Sequence, residues 1–377
     1  MSKSKFLVVL LVLLLLLGGG LAAVYFMSDD ESEVRDTIES FAGGKCGDGV
    51  CDRVEQTVRN CPADCPEEEA GPGVVHLSLM VHLEGWDEEV TDQDKFNGHV
   101  KAVETLAAKF EEYGAVATFE ASPEFFQAVE NWDSDILNDL YARGHGIGLH
   151  ADVGGNIRTE GLTQEGMVDT LREMREQAEA VTGLDIRHVS GICSELDWVE
   201  AAIDAGYEFT TGGVAYCVMS MPQKARPEEY KMCKNPGMCH GVWPATVAER
   251  LNPWRASSAD NWLKEDPKGE LVLFIPDGVF VSLYEEFESL EGTDDAGHGD
   301  LNSNDVEAFV NILDEALVVA TNDKLNKLYF GWSIGSQVNV SSPVLDEWFE
   351  AVEPYLTTGR VDWMNIPDMY DAYVTNE

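Results

Sequence analysis

The chain has 377 residues, 25 of them Lys or Arg and 69 of them Asp or Glu, which gives a formal net charge of −44. A surface of this charge repels nucleic acid and anionic lipid, so both are excluded as partners. Because 44% of the residues are hydrophobic and fall in long periodic segments, we expect a folded protein with a solvated acidic shell, as in salt-adapted organisms.

The N-terminal segment predicts a single membrane-spanning helix. Residues 1–5 contain two lysines, residues 6–27 are apolar, and the segment that follows is acidic. About 22 residues give about 33 Å of helix, enough to cross a hydrocarbon core of roughly 30 Å. The charge asymmetry predicts a cytoplasmic N-terminus and an extracellular location for the bulk of the chain. A cleaved signal peptide is the alternative, although the run is longer than the usual signal core and its cleavage site is poor.

A cysteine-rich module is predicted at residues 45–66, between acidic linkers at 28–44 and 67–73. It resembles short cysteine modules of surface proteins with the pattern CGDGxC…NCPxDC. A segment of this length cannot form a hydrophobic core, so disulfides are expected to stabilise it, and the sequence does not choose among the three pairings. The alternative to a stapled spacer with solvated acids is a bound Ca²⁺. The cysteines are Cys46, Cys51, Cys61 and Cys65.

From residue 74 to residue 377, apolar strand-like segments alternate with helical periods. The predicted strands are 74–82, 116–119, 147–150, 186–189, 207–211, 271–275, 328–332 and 361–363. Gly114 and Gly183 are predicted to end two of the helices between them. This alternation predicts an α/β fold of parallel β/α units, either a barrel or a doubly wound sheet. No Gly-x-Gly-x-x-Gly follows the first strand, which favours the barrel.

Three candidate metal ligands lie at predicted strand ends, where β/α barrels carry their active groups. His82 and Glu84 are two residues apart and therefore point to the same side of the first strand, while His150 ends a neighbouring strand. Two imidazoles and a carboxylate suit Zn²⁺ or another divalent transition metal. Such a metal would polarise a carbonyl and activate a water for amide or ester hydrolysis. The alternative is that both histidines are structural.

Further residues near these strand ends are candidates for the remaining catalytic roles. Asp152 lies two residues beyond His150 and is the candidate general base. Arg187 and His188 belong to the end of the fourth predicted strand and are candidates for stabilising an oxyanion.

The order of these segments resembles the polysaccharide deacetylase, or NodB-homology, family of carbohydrate esterases. The resemblance covers residues 74–373 and implies a distorted (β/α) barrel of the NodB type. It also implies metal-dependent removal of acetyl groups from amino sugars or sugar esters, with a carbohydrate polymer or surface glycan as partner. It is carried by Leu83-Glu84-Gly85, Ala117-Thr118-Phe119-Glu120, Arg143-Gly-His-Gly-Ile-Gly-Leu-His150, Arg187-His-Val-Ser-Gly191 and Gly359-Arg-Val-Asp-Trp363-Met-Asn-Ile366.

The family's functional residues are only partly present. The resemblance places the family's metal-binding Asp at Glu84, its first metal His at His150 and the Arg that orients the base at Arg187. Its second metal His falls on Gly154 and its catalytic Asp falls on Leu83. A metal site therefore requires His82 as a replacement ligand, and turnover requires another base such as Asp152 or His188. The alternative is a catalytically degenerate barrel that binds glycans.

The last four cysteines and several tryptophans surround the predicted barrel mouth. In an exported chain, we expect the disulfides Cys193–Cys217 and Cys233–Cys239 rather than a structural zinc site. Aromatic side chains in the long irregular stretch at 212–266 are candidates for stacking on sugar rings, or they pack this stretch against the barrel. The candidate substrate-binding residues are Trp86, Trp243 and Trp254.

Overall fold

The computed structural model divides into two compact units, Met1–Glu69 and Ala70–Glu377, and the residues that it describes all belong to the second. The predicted membrane helix, the cysteine-rich module with its four cysteines and Ca²⁺ site, and both linkers lie outside the described residues, apart from residue 73. Within the described residues, no helix combines the length and the apolar character needed to cross a membrane. The described residues are 73–84, 87–154, 161–233, 239, 246–280, 301–334, 340 and 343–376.

Strands and helices alternate along the described chain. The strands are β1 (Val75–Leu83), β2 (Thr118–Ala121), β3 (Gly146–His150), β4 (His188–Ser190), β5 (Phe209–Thr210), β6 (Trp254–Ala256), β7 (Leu271–Leu273), β8 (Asn326–Ile334) and β9 (Val361–Trp363). The helices are α1 (Asp87–Thr91), α2 (Gln93–Glu112), α3 (Pro123–Asn131), α4 (Ile136–Ala142), α5 (Gln164–Thr182), α6 (Trp198–Ala205), α7 (Val247–Arg250), α8 (Ser303–Val319), α9 (Pro343–Thr357) and α10 (Ile366–Asn376). Short 3-10 helices occupy Ala215–Ser220 and Glu228–Tyr230.

The strands form one sheet in the order β6-β7-β5-β4-β3-β2-β1-β8, and β9 pairs with the start of β1. β6 is antiparallel to β7, whereas β1 is parallel to β2, β8 and β9. Beyond β7 the chain reaches β8: Asp277 N–H donates to Tyr329 O at 2.7 Å, and Gly331 N–H donates to Gly278 O at 3.0 Å. The sheet therefore curls so that the segment after β7 contacts β8, the last strand at the other end of the sheet. The prediction of an α/β chain with a distorted (β/α) barrel is confirmed.

Side chains of β1 show how the barrel separates its two faces. Val75, Leu77 and Leu79 are fully buried and belong to the core that packs under the helices. Met80 points the other way, into a smaller apolar cluster inside the barrel that includes Phe209 and Tyr329 of neighbouring strands and Ile366, Met369 and Tyr370 of α10. Side chains of α10 therefore fill part of the barrel interior with apolar groups.

The helix boundaries follow local sequence signals. Asp92 caps α2, since its carboxylate accepts the N–H groups of Asp94 and Lys95. Gly114 follows this helix with φ of +66°, and Gly183 follows α5 with φ of +69°, a conformation that glycine adopts without strain. Both predicted helix ends are confirmed.

A buried charged cluster holds the closure between β7 and β8. Asp277 accepts hydrogen bonds from Arg250 Nε at 2.8 Å, Lys327 Nζ at 3.0 Å and the Tyr329 N–H at 3.0 Å. Burial lowers the pKa of Lys327 to about 8, against the opposing attraction of Asp277. The closure thus depends on one carboxylate with two cationic partners.

Candidate active site

The three predicted ligands lie together at the C-terminal ends of β1 and β3. One nitrogen of His82, one of His150 and an oxygen of Glu84 all lie within 4.8 Å of one another. Glu84 Oε1 is 3.8 Å from His82 Nδ1 and 3.8 Å from His150 Nε2. The Ser333 hydroxyl on β8 donates to the same oxygen at 3.0 Å and fixes its position. Strand alternation explains this convergence, because His82, Glu84 and His150 all face the barrel interior.

A fully buried carboxylate, Glu120 on β2, lies beside this cluster. It is the register partner of His82. Its Oε2 accepts the Ser190 hydroxyl at 2.5 Å and lies 3.2 Å from His82 Nε2. Its Oε1 accepts the Thr211 hydroxyl at 2.5 Å and lies 3.2 Å from His188 Nε2. Burial alone would raise the pKa of Glu120, but the contacts with His188 and His82 outweigh it and hold the pKa well below its ordinary value.

Asp152 lies at the edge of the cluster, where the chain turns sharply after β3. Its φ of +51° is unusual for a residue with a side chain. This turn places Asp152 Oδ1 3.2 Å from His150 Nε2, with the Asp152 side chain 36% exposed. Burial lowers the pKa of His150, but the charges of Asp152, Glu84 and Glu120 outweigh it and raise the pKa to about 9. Without a metal, His150 therefore carries a second proton and pairs with Asp152.

Ser190, His150 and Asp152 are connected like the triad of a serine hydrolase. The Ser190 hydroxyl lies 2.8 Å from His150 Nδ1, and Asp152 lies beyond the other ring nitrogen. Ser190 is nevertheless fully buried, and its proton is directed to Glu120. A buried hydroxyl bonded to a carboxylate cannot reach a substrate carbonyl, so the geometry favours attack by water over a covalent acyl-serine intermediate.

The donor set fits a divalent transition metal. One ring nitrogen of His82 lies next to Glu120, and one ring nitrogen of His150 lies next to Ser190. The other nitrogen of each ring faces Glu84. Metal-binding histidines are usually supported in this way, by a polar partner on the nitrogen that does not bind the metal. The two rings are stacked, with centroids 3.8 Å apart and planes at 21°. Because an imidazole binds a metal in the plane of its ring, a metal shared by both residues requires one ring to turn.

Arg187 does not lie in the candidate site, which corrects the prediction that it stabilises an oxyanion. It precedes β4, and its guanidinium donates to Glu208 at 2.8 Å and to Asp371 of α10 at 2.7 Å. It also lies over the ring of Tyr370. Successive strand residues point to opposite faces, so Arg187 faces outward where His188 faces inward.

His188 lies in the barrel interior but deeper than the predicted metal ligands. It is 1% exposed, its ring stacks on Phe209 with centroids 4.6 Å apart, and Nε2 is close to Glu120. Among the described residues, this nitrogen has no aligned hydrogen-bond partner in spite of the short distance. A proposed role for His188 as oxyanion donor or base is therefore corrected: it packs beneath the cluster and has no open path to a substrate.

Of the three tryptophans predicted to stack on sugar rings, the described residues include Trp254. Trp254 on β6 is buried, and its indole N–H donates to the Trp262 carbonyl at 2.7 Å, so it packs the long stretch onto the barrel. It also borders a cavity of about 410 Å³ formed with Tyr373 of α10 and residues before β8, whose lining includes none of the cluster residues. Trp86 and Trp243 lie outside the described residues.

Both predicted disulfides are present. Cys193–Cys217 joins the segment after β4 to the 3-10 helix after β5, and Cys233–Cys239 closes a short loop. The first bond bears on the site, because a Cβ at Gly154 would lie 2.2 Å from the Cys193 carbonyl oxygen. The position where the family resemblance expects a second metal His therefore has no room for a side chain.

No family model matches the chain, and no curated protein matches it in sequence. Solved structures do match. One is described as a polysaccharide deacetylase from Mycobacterium smegmatis, with 11% identity, a TM-score of 0.48, and coverage of 82% of this chain and 92% of that one. A family 4 acetyl xylan esterase from Clostridium thermocellum, in complex with cobalt, has 10% identity, a TM-score of 0.35, and coverage of 78% and 91%. A 4-alpha-glucanotransferase from Thermococcus litoralis has 14% identity, a TM-score of 0.43, and coverage of 79% and 38%. The solved structures that resemble this chain therefore include a polysaccharide deacetylase, an acetyl xylan esterase and a glucanotransferase.

Proposed function

We propose that this domain is a metal-dependent hydrolase that removes acetyl groups from a carbohydrate polymer or surface glycan. The observation that carries the proposal is the convergence of His82, Glu84 and His150 at the C-terminal ends of parallel strands. Zn²⁺ or a similar metal bound there would polarise the acetyl carbonyl and lower the pKa of a bound water. The family resemblance supplies the substrate class.

Asp152 is the residue that we assign as general base. Its carboxylate is partly exposed and lies 3.2 Å from His150 Nε2, at the rim of the cluster. There it can take a proton from an attacking water and return it to the leaving amine or hydroxyl. Leu83, which occupies the family's base position, is fully buried on the outer face of β1 and takes no part.

Metal content and acetate release together test the proposal. Full-length protein is purified in detergent, its metal content is measured, and acetate release is followed from acetylated chito- and xylo-oligosaccharides. We expect His82→Ala, His150→Ala and Glu84→Gln to lose both metal and activity, and Asp152→Asn to lose activity but retain metal. His76→Gln is the matched control, since His76 pairs with Asp362 away from the cluster. Full metal occupancy in both alanine variants would refute the site. Metal binding without acetate release would instead support a glycan-binding barrel.

We also propose that residues 6–27 anchor the protein in the membrane with the barrel outside the cell. The apolar run and its flanking charges support this, and the two disulfides are typical of exported proteins. Digestion of intact cells with an added protease checks it: an extracellular barrel is degraded, whereas a cytoplasmic one survives until the cells are lysed.

A further inference from the structure

Glu120 contacts four side chains in the barrel interior, yet it is not one of the three grouped ligands. Its partners come from three other parts of the sheet: His82 from β1, His188 and Ser190 from β4, and Thr211 from the end of β5. It is fully buried, and each of its two oxygens faces one hydroxyl and one imidazole. A carboxylate in this position accepts hydrogen bonds from the Ser190 and Thr211 hydroxyls and donates none.

The proton on Ser190 determines the tautomer of His150. A serine hydroxyl has one proton, and that of Ser190 is given to Glu120 Oε2 at 2.5 Å. The Ser190 oxygen can then only accept from His150 Nδ1, which lies 2.8 Å away. His150 Nδ1 is therefore protonated, and the neutral ring carries its lone pair on Nε2, the nitrogen that faces Glu84.

The same carboxylate determines the tautomer of His82. His82 Nε2 lies 3.2 Å from Glu120 Oε2 and 3.4 Å from the Ser190 oxygen, and both atoms act as acceptors towards it. His82 Nε2 must therefore carry a proton. The lone pair of the neutral ring is then on Nδ1, which also faces Glu84.

We propose that Glu120 is a positioning residue that fixes the tautomers of both ligand histidines, directly for His82 and through Ser190 for His150. This rests on the proposed function, because it assigns a role within that metal site. The role requires a carboxylate. The amide nitrogen of a glutamine would face either the Ser190 and His82 donors or the Thr211 hydroxyl, and the donors on that side would lose their acceptor.

The variant Glu120→Gln tests this with two measurements that do not depend on acetate release. The first is the dissociation constant for Zn²⁺ and Co²⁺, measured by competition with a chelating dye. The second is the ¹⁵N spectrum of the histidine rings in metal-free protein, recorded above the His150 pKa of about 9 so that the ring is neutral, which reports which nitrogen carries the proton. We expect the affinity to fall about 10- to 100-fold, the usual effect of removing a hydrogen-bond partner of metal ligands. We also expect the His82 and His150 ring signals to show the altered tautomers.

Glu89→Gln is the matched control. Glu89 is also a fully buried glutamate, and it pairs with His99 at 2.9 Å on helices α1 and α2. Ser190→Ala is the second variant, to be used if Glu120→Gln does not fold. It removes one small hydroxyl, and we expect it to release the His150 tautomer while leaving that of His82 unchanged.

Wild-type affinity and unchanged ring signals in Glu120→Gln or Ser190→Ala would overturn the proposal. An equal loss of affinity in Glu89→Gln would also overturn it, because the effect would then follow from general destabilisation. If the wild-type protein binds metal but releases no acetate, the hydrolase proposal fails while these measurements still decide the role of Glu120.

Discussion

The Cys193–Cys217 disulfide is expected to support the candidate site as well as the fold. Its removal by Cys193→Ala/Cys217→Ala opens a loop with a sequence separation of 24, whereas Cys233→Ala/Cys239→Ala opens one of 6. The loop-closure relation gives losses of about 3.5 and about 2 kcal/mol in the free energy of unfolding, respectively. Chemical denaturation of the two double variants measures this difference.

The two disulfides differ in their sequence distance from the candidate metal ligands and in the residues that their neighbouring segments contact. Cys193 follows Ser190 and Gly191, and a Cβ at Gly191 would come within 2.9 Å of His150 Cε1, so this segment lies against the ligand ring. The other disulfide lies in the long stretch after β5. We therefore expect the first double variant alone to weaken metal binding, by about tenfold, the lower end of the effect of lost support around metal ligands.

Dye competition under conditions where both double variants remain folded measures this coupling. An unchanged metal dissociation constant in Cys193→Ala/Cys217→Ala would refute the reasoning, since the segment after β4 would then hold its place without the disulfide. An equal loss in Cys233→Ala/Cys239→Ala would refute it as well, because the effect would not depend on contact with His150.

Three further changes test other parts of the structure. Gly148→Ala should destabilise the protein by about 1–3 kcal/mol in thermal unfolding, because its Cβ would lie 2.0 Å from His188 Nε2 and would displace that ring from Glu120. Arg187→Gln should leave acetate release unchanged and cost about 1 kcal/mol of stability, since it breaks the contacts with Glu208, Asp371 and the Tyr370 ring, none of which belongs to the cluster. Burial lowers the pKa of Lys327 from 10.5 to about 8 in the folded protein. Between pH 8 and pH 10.5 the Lys327 amine is therefore protonated in the unfolded chain only, and the free energy of unfolding should rise by about 3 kcal/mol across this range. Urea unfolding across that range should show this rise in the wild type and not in Lys327→Met.

Much of the fold could be predicted because its longer elements repeat a clear pattern. The alternation in β1 and the helical period of α2, which ends before Gly114, are local features that a sequence displays directly. The antiparallel strand β6 was not predicted, since three residues inside an apparently irregular stretch have no measurable period. The closure of β7 onto β8 was not predictable either, because it depends on contacts between Asp277 and residues about 50 positions away.

The site could be predicted in part for the same reason. Strand alternation put His82 and Glu84 on one face, and the end of β3 put His150 beside them. Arg187 and His188 are adjacent, so strand alternation allows only one of their side chains to face the barrel interior. His188 faces inward, and the oxyanion role predicted for Arg187 is therefore wrong. Glu120 had a local signal, a carboxylate between Phe119 and Ala121 in a buried strand. Its function, however, follows from the register with His82, which no local pattern contains.

The histidine that the family resemblance expects at Gly154 and the histidine that is present at position 82 can be explained together. Gly154 stands where a second metal His is expected, and it packs against the Cys193 carbonyl that the disulfide holds in place. His82 meanwhile enters the cluster from β1, on the side of Glu84 and within reach of Glu120. Under the proposed function, His82 from β1, supported by Glu120, takes the role of a histidine supplied from the segment after β3. The loss at Gly154 therefore does not by itself argue for a degenerate barrel. The decision between hydrolase and glycan-binding protein depends on whether Asp152 can replace the base that Leu83 cannot provide.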